Sequence, residues 1–158
     1  GQVAPGGGPG SAAATATEAV FEAARAAFVD GVQAFEAGDI ARAESLFTES
    51  LRLVPGRPST LVNLAAVHER LGRYAQALAA LEQALSTQPE DLAAWLDHGR
   101  LLQVLERPHD SLRSYERVLA LDATHHGAWT QCGSLLKDMG RLDEAVRCFR
   151  QASLINVF

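Results

Sequence analysis

Five histidines and two cysteines are among the side chains of this chain that could bind a metal or take part in acid–base and nucleophilic chemistry. They are His68, His98, His109, His125, His126, Cys132 and Cys148. A zinc site needs four ligands that converge tetrahedrally. His125, His126 and Cys132 are close in sequence, but the cysteine is predicted to point into a helical hairpin while the histidines lie in a loop. We therefore expect no metal site.

The two cysteines are predicted to be free thiols. Two cysteines are too few for the disulfide framework of a small secreted domain, so we expect a cytoplasmic protein with reduced thiols. Cys132 and Cys148 fall on facing predicted helices, and a disulfide between them requires Cα atoms within about 7 Å of each other. That disulfide is the alternative.

No sequence motif indicates an enzyme or a cofactor. The chain has no G-x-x-x-x-G-K-[ST] and no G-x-G-x-x-G that follows a strand and opens a helix. The glycine-rich residues 6–9 precede no element that could use a phosphate-binding loop. We also find no paired nucleophile and base, so no catalytic residue and no cofactor are expected.

Composition excludes two further classes of function. The formal net charge of the 158 residues is -5, and Lys137 is the only lysine. Nucleic-acid phosphates require clustered lysine and arginine, which this sequence lacks. No stretch approaches the roughly 18 to 20 continuous apolar residues of a membrane span. Because 47% of the residues are hydrophobic, the chain can still build a packed core.

The elements that position these side chains repeat along the sequence every 34 residues. Three kinds of residue recur: a residue at a helix-to-helix turn, a small residue that lets two helices approach, and a bulky residue that fills the adjoining space. The turn series is Gly38, Gly72, Glu106 and Gly140; the small series are Gly31, Ala65, Gly99, Gly133 and Ala43, Ala77, Ser111, Ala145; the bulky series is Phe47, Leu81, Tyr115 and Phe149. This pattern predicts consecutive helical hairpins.

The same register predicts packing roles for two of the histidines. His98 occupies the repeat position of Leu64 and Cys132, and His68 occupies that of Leu102 and Leu136. Both positions face the interior of a hairpin, so we expect the two rings to pack rather than to catalyse.

The repeats resemble the tetratricopeptide family, in which W-x2-L-G-x2-Y, A-x3-F and a terminal proline recur. The last repeat has Trp129, Cys132, Gly133 and Leu136 in the first part of this motif, and Ala145 with Phe149 in the second. The resemblance covers residues 24–158. It implies an all-α fold, a right-handed α-α superhelix of four helical hairpins.

The domain prediction is a flexible segment over 1–16, rich in Gly, Ala and Pro, followed by a four-repeat domain over 17–158. The repeats span 24–57, 58–91, 92–125 and 126–158. Helices are predicted at 17–37, 40–53, 58–71, 74–87, 92–105, 108–121, 126–139 and 142–155. Thr15 and Glu18 form a candidate capping box at the start of the first helix.

Stacked hairpins form a concave surface lined by their first helices, and solenoids bind partners there. The residues of the first helices that do not face their own hairpin are the predicted partner-binding groove: Phe28, Val32, Phe35, Val62, Asn63, Ala66, Glu69, Leu96, Asp97, Arg100, Gln103, Thr130, Gln131, Ser134 and Lys137. We expect a partner protein to place an extended peptide or a helix in this groove.

Similar arrays bind peptides in two known ways, and each requires particular residues in the groove. The clamp that grips chaperone carboxylates needs lysine and asparagine where this chain has Phe28 and Val32, so the resemblance does not imply chaperone binding. In arrays similar to those of O-linked N-acetylglucosamine transferases, an asparagine ladder binds the peptide backbone. Asn63, Asp97 and Gln131 occupy that position here, and only one of them is asparagine. Solvated polar side chains are the simpler interpretation.

Three functions remain open from the sequence: a protein-binding scaffold, which is the leading interpretation, a docking or regulatory part of a larger enzyme such as a glycosyltransferase or methyltransferase, and a self-assembling scaffold. A solenoid ends in a polar cap, but residues 142–158 contain Leu142, Val146, Phe149 and Ile155 and then end in Val157 and Phe158. We expect self-association through residues 142–158, and a native chain that continues.

Overall fold

The computed structural model describes residues 1–2 and 9–156, and within these residues all regular secondary structure is helical. The helices are α1 (Pro9–Glu36), α2 (Ile40–Leu53), α3 (Pro58–Arg70), α4 (Tyr74–Thr87), α5 (Leu92–Val104), α6 (Pro108–Leu121), α7 (His126–Asp138) and α8 (Leu142–Ile155). Each odd-numbered helix pairs with the next helix to form a hairpin, and successive hairpins stack. The predicted all-α solenoid of four hairpins is confirmed.

Helix α1 differs from its prediction, because it begins at Pro9 rather than near residue 17. The helix therefore runs through residues 9–16, which the sequence assigned to a flexible segment, while residues 3–8 lie outside the described part. Four of the five residues from 12 to 16 are alanine, the best helix former, so the helix continues past the predicted capping box at Thr15. Among the described residues, no helix combines the length and apolar character that a membrane span requires.

The turns inside the hairpins share one backbone geometry. Gly38, Gly72 and Gly140 have φ angles of 83°, 73° and 78°, in the left-handed region that glycine adopts without steric cost. The residue after each of them donates its backbone N–H to a carbonyl five residues earlier, as Arg73 does to His68 at 2.8 Å. Glu106 takes the same position in the third hairpin with φ 57°, and Arg107 makes the equivalent bond to Leu102.

Within each hairpin the small and bulky series meet, as predicted. A Cβ on Gly31 would lie 2.7 Å from the Phe47 ring, and a Cβ on Gly133 would lie 2.8 Å from the ring of Phe149. In the third hairpin Tyr115 contacts Gly99 in the same way. Because these glycines have no side chain, the aromatic rings can fill the space between the two helices.

Trp95 and Trp129, which share a repeat position, make equivalent hydrogen bonds. Each indole N–H donates to the backbone carbonyl six residues earlier, Trp95 to Pro89 at 2.7 Å and Trp129 to Ala123 at 2.8 Å. Both side chains are half-buried, with part of each ring packed against the core. The bond ties the start of a first helix to the loop that precedes it.

Candidate protein-binding groove

The residues predicted to form the groove all lie on the four odd-numbered helices. Thirteen of the fifteen are half-buried, and Arg100 and Lys137 are exposed. None of the fifteen is fully buried, so each keeps some surface that a partner could contact. Contacts between these helices bring residues of neighbouring repeats together along one face of the stack.

At the first repeat the groove surface is aromatic and apolar. Phe28, Val32 and Phe35 pack on the core cluster around Phe47 and leave part of their surface open. The rings of Phe28 and Phe47 are 5.9 Å apart, and the guanidinium of Arg70 lies 5.5 Å from the centre of the Phe35 ring. These contacts fix the aromatic side chains, so a ligand would meet a preformed apolar surface.

A cleft opens beside Phe28, between α1 and α3. Its volume is 420 Å³, and its lining residues are Arg25, Phe28, Val29, Arg57, Ser59 and Thr60. Neither Arg25 nor Arg57 has an ion-pair partner among the described residues. The cleft therefore combines an apolar wall with two uncompensated positive charges. Sequence reasoning missed both arginines, because they are far apart in the chain and belong to no motif.

In the middle of the groove, Arg100 joins two neighbouring repeats. Its guanidinium makes a two-pronged ion pair with the Glu69 carboxylate of the preceding hairpin, with one N–H···O distance of 2.9 Å, and also contacts Asp97 at 3.3 Å. The hydrogen bond from Arg100 to Glu69 is the main reason why the pKa of Arg100 is raised. Its charge is thus held in place by two acidic residues.

A second link between repeats is made of amides. The Gln103 side-chain N–H donates to the Gln131 side-chain oxygen at 3.4 Å, and the Tyr115 hydroxyl donates to the oxygen of Gln103 at 3.0 Å. The Tyr115 hydroxyl is protonated at neutral pH and can donate, and burial raises its pKa further. The hydroxyl of the buried Tyr115 therefore fixes the orientation of the Gln103 side chain.

The polar side chains at the repeat position of the asparagine ladder already make hydrogen bonds within the protein. Asn63 donates to the Ser59 carbonyl of its own helix at 2.8 Å. Asp97 contacts Arg100, and Gln131 accepts from Gln103. A peptide backbone would have to replace these bonds or use the remaining donor and acceptor capacity of the side chains.

On the opposite side of α5, a pocket of about 450 Å³ contains a hydrogen-bonded chain that sequence reasoning missed. The Ser114 hydroxyl lies 2.7 Å from His98 Nδ1, and His98 Nε2 lies 3.2 Å from a Glu82 carboxylate oxygen. We expected no nucleophile paired with a base. This expectation is wrong, because Ser114 and His98 lie within hydrogen-bond distance of each other. The serine is only 2% exposed, however, so its oxygen is closed off from a substrate carbonyl.

His125, His126 and His68 have structural surroundings, whereas His109 is exposed. His125 Nδ1 accepts a hydrogen bond from the Ala128 N–H at 3.0 Å and so caps α7, while the Asn156 side chain donates to His126 Nε2 at 3.0 Å. Burial is the main cause of a lowered pKa at His68. Among the described residues, no three His, Cys, Asp or Glu side chains are grouped so that they could hold a metal ion.

Cys132 and Cys148 are buried, and both are free thiols. Burial raises the pKa of Cys132 to about 12, and the neighbouring Cys148 contributes in the same direction. The thiolate is the nucleophilic form of cysteine, so these thiols are held in their unreactive form.

Comparisons with known proteins agree with this architecture. Profiles of the tetratricopeptide repeat family match residues 34–98 and 126–156. Two crystal structures of MamA superpose with TM-scores of 0.78 and 0.80 at 17% identity, covering 84% and 90% of this chain and 72% and 85% of theirs. MamA from Desulfovibrio magneticus RS-1 gives 0.76 at 20% identity, with 84% and 75% covered. No curated protein sequence matches the chain. At these identities the structural likeness shows the fold alone.

Proposed function

The chain belongs to the tetratricopeptide repeat family of protein-interaction scaffolds, and we propose that it binds a segment of a partner protein along its first helices. The observation that supports this most directly is the continuity of the surface. It runs from the aromatic residues of α1 across the Glu69–Arg100 and Gln103–Gln131 links to α7. A partner segment that crosses all four hairpins would meet apolar, charged and amide groups in that order.

The chemistry of the groove defines the kind of segment that fits it. The first repeat offers the open surfaces of Phe28 and Phe35 and the cleft with Arg25 and Arg57. We propose that apolar side chains of the partner cover the aromatic residues, and that a carboxylate, from a side chain or a chain terminus, pairs with the two arginines. Such a carboxylate is the ligand group that a pair of guanidinium groups favours.

From Glu69 in the second repeat onwards, hydrogen bonding should outweigh net charge. Glu69 and Asp97 are acidic and Arg100 and Lys137 are basic, so the charges of this part cancel. The oriented amides of Gln103 and Gln131 can donate to and accept from a peptide backbone without regard to its side chains. The partner segment should therefore be specified mainly by its end at the first repeat.

We also propose that the chain has no catalytic activity of its own. The Ser114–His98–Glu82 chain is the only grouping among the described side chains in which a serine bonds to a histidine. A serine that is closed off from solvent gives a substrate no access to its oxygen. Ester and peptide hydrolysis should stay at background, and Ser114→Ala should not change it. Turnover that this substitution abolishes would overturn the statement.

The binding proposal can be tested with a random-sequence peptide library. Peptides that bind the immobilised chain are selected, and their affinities are measured for the protein and for two pairs of substitutions. Asn63→Ala with Arg100→Ala changes the groove, whereas Gln76→Ala with Arg113→Ala changes the exposed surface of α4 and α6. We expect the groove pair to weaken binding at least about tenfold, roughly 1.4 kcal/mol, and the control pair to leave it unchanged.

The selected sequences provide a second readout of the same proposal. They should share apolar residues and an acidic residue or a free C-terminal carboxylate, and Arg25→Ala with Arg57→Ala should weaken the acidic peptides most. Peptides that lose affinity only with the control pair, or that show no preference for acidic groups, would contradict the assignment of the groove.

A further inference from the structure

The outer face of α8 has apolar side chains that nothing in the described structure covers. Leu142, Val146 and Leu154 are 59%, 47% and 62% exposed, and Phe149 is half-buried. Val146, Phe149, Arg150, Ser153 and Leu154 line a shallow groove of about 450 Å³ on this face. Val157 and Phe158, also expected to be exposed, lie outside the described residues.

The repeat explains part of this exposure. The positions equivalent to Val146 in the second and third hairpins are Leu78 and Leu112, which are 6% and 5% exposed because the following first helix packs on them. In the fourth hairpin no described helix follows α8, so Val146 keeps its surface open. One more hairpin could cover this row of residues.

Leu142 and Leu154 are different, since another hairpin would leave them exposed. The positions equivalent to Leu154 are Arg52, Ser86 and Ala120, and all three are exposed although each of these hairpins is followed by another. Of the residues equivalent to Leu142, Tyr74 and Pro108 are exposed as well, and Ile40 is half-buried. Only the last hairpin places leucines at both positions. The apolar face is therefore wider than an internal repeat contact needs.

At the opposite end of the stack α1 exposes the apolar Val20, Phe21 and Val29, but the positions that would contact a preceding hairpin are polar. Val67, Leu101 and Leu135, which pack on the preceding hairpin, are buried, but the equivalent residue in α1 is the exposed Gln33. The neighbouring position in α1 has the exposed Asp30. A head-to-tail contact between two copies would press these polar groups onto apolar side chains, which costs free energy unless they find partners.

The face of α8 is complementary to itself. Asp143 and Arg150 are seven residues apart, so they lie on the same edge of the helix, beside Val146. Neither residue has an ion-pair partner among the described side chains. When two copies of α8 pack antiparallel about a two-fold axis near Val146, Asp143 of each copy meets Arg150 of the other. A parallel arrangement would not bring Asp143 of one copy to Arg150 of the other.

We propose that the chain forms a two-fold dimer in which the α8 helices pack antiparallel through Leu142, Val146, Phe149 and Leu154. Two Asp143–Arg150 ion pairs between the copies fix the direction of packing. An isologous contact of this kind closes on itself and does not extend into a fibre. It leaves the first helices of both copies open, so one dimer would present two grooves and bind a bivalent partner with increased avidity.

Sedimentation equilibrium of the 158-residue chain tests this proposal. We expect a monomer–dimer equilibrium with a dissociation constant of about 10–100 µM, since one helix face is a small interface. Val146→Glu and Leu154→Glu should each abolish the dimer, whereas Ala120→Glu, at the equivalent position of the third hairpin, should not. Circular dichroism checks that all variants keep their helices. A chain that stays monomeric at about 1 mM would overturn the proposal.

Charge reversal identifies the arrangement. Asp143→Arg and Arg150→Asp should each weaken self-association about tenfold or more, because each places two like charges at both ends of the contact. An equimolar mixture of the two variants should dimerise again as a mixed pair, and so should the chain with both substitutions. A mixture that stays monomeric, or a dimer unaffected by Val146→Glu, would show that this face is not paired antiparallel.

Discussion

Gly31 lies directly against the ring of Phe47, so a Cβ at residue 31 would be 2.7 Å from the Cε1 atom of the ring. The same contact recurs between Gly133 and Phe149, and Ala65 replaces the glycine where the facing residue is Leu81. The size of the bulky residue therefore determines how small its neighbour must be. This pairing sets how closely the two helices of each hairpin approach.

Gly31→Ala should lower the free energy of unfolding by about 1–3 kcal/mol, since the new methyl group overlaps a fully buried ring. Gly31→Ala combined with Phe47→Leu recreates the Ala65–Leu81 pair and should cost less than the sum of the two single changes. Urea denaturation of the three variants measures this coupling. Additive losses would show that residues 31 and 47 do not compete for the same space.

Glu106 is expected to be strained, because it is the one non-glycine residue among the described residues with a positive φ. Glu106→Gly should raise the free energy of unfolding by about 1 kcal/mol. Gly72→Ala is the matched control, since a Cβ there meets no atom within 4 Å and only the backbone conformation is penalised. It should lower stability by about the same amount. An unchanged denaturation midpoint for Glu106→Gly would contradict this account.

The two tryptophans allow a comparison of equivalent hydrogen bonds. Trp95→Phe and Trp129→Phe each remove one indole N–H bond to a backbone carbonyl and should each cost about 1 kcal/mol. Because Trp95 is half-buried, Trp95→Ala should cost about 2–4 kcal/mol, below the range for a fully buried tryptophan. Thermal unfolding of the variants checks both values. Clearly unequal losses for the two phenylalanine substitutions would show that the environments differ.

The stability of the protein should decrease in alkaline solution because of Cys132. The pKa of its thiol is about 12 in the folded state against 9.0 for an ordinary cysteine. The unfolded chain therefore loses this proton first, and the free energy of unfolding falls as the pH rises from about 9 towards 12. Cys132→Ala should flatten this part of the profile. Tyr115→Phe is the companion variant, since burial raises the pKa of Tyr115 as well.

The repeat register was enough to predict the hairpins, because each small, bulky or turn residue has a local steric role. The extension of α1 was missed because residues 9–11 read as a Gly- and Pro-containing linker, although the alanines that follow favour a helix. The groove was predicted only as a set of positions. The ion pair between Glu69 and Arg100 joins residues that are 31 apart. Because the period is 34 residues, Arg100 lies three residues before the position equivalent to Glu69 in the next repeat. This spacing could have indicated the ion pair.

The hydrogen-bonded chain of Ser114, His98 and Glu82 depends on side-chain orientations across three helices, which no sequence pattern specifies. Arg25 and Arg57 were missed for a related reason, since their cleft exists only where α3 stacks on α1. Residue types therefore predicted the elements, whereas the side-chain clusters between them follow from how the hairpins stack.

Photo-cross-linking shows directly whether the first helices form the partner-binding surface. A selected peptide with a photoreactive side chain is bound to the chain and irradiated, and the modified residues are identified by mass spectrometry. We expect cross-links to residues of α1, α3, α5 and α7, such as Phe35, Ala66, Gln103 and Lys137. Cross-links confined to α2, α4, α6 and α8, or to the pocket around His98, would contradict this expectation.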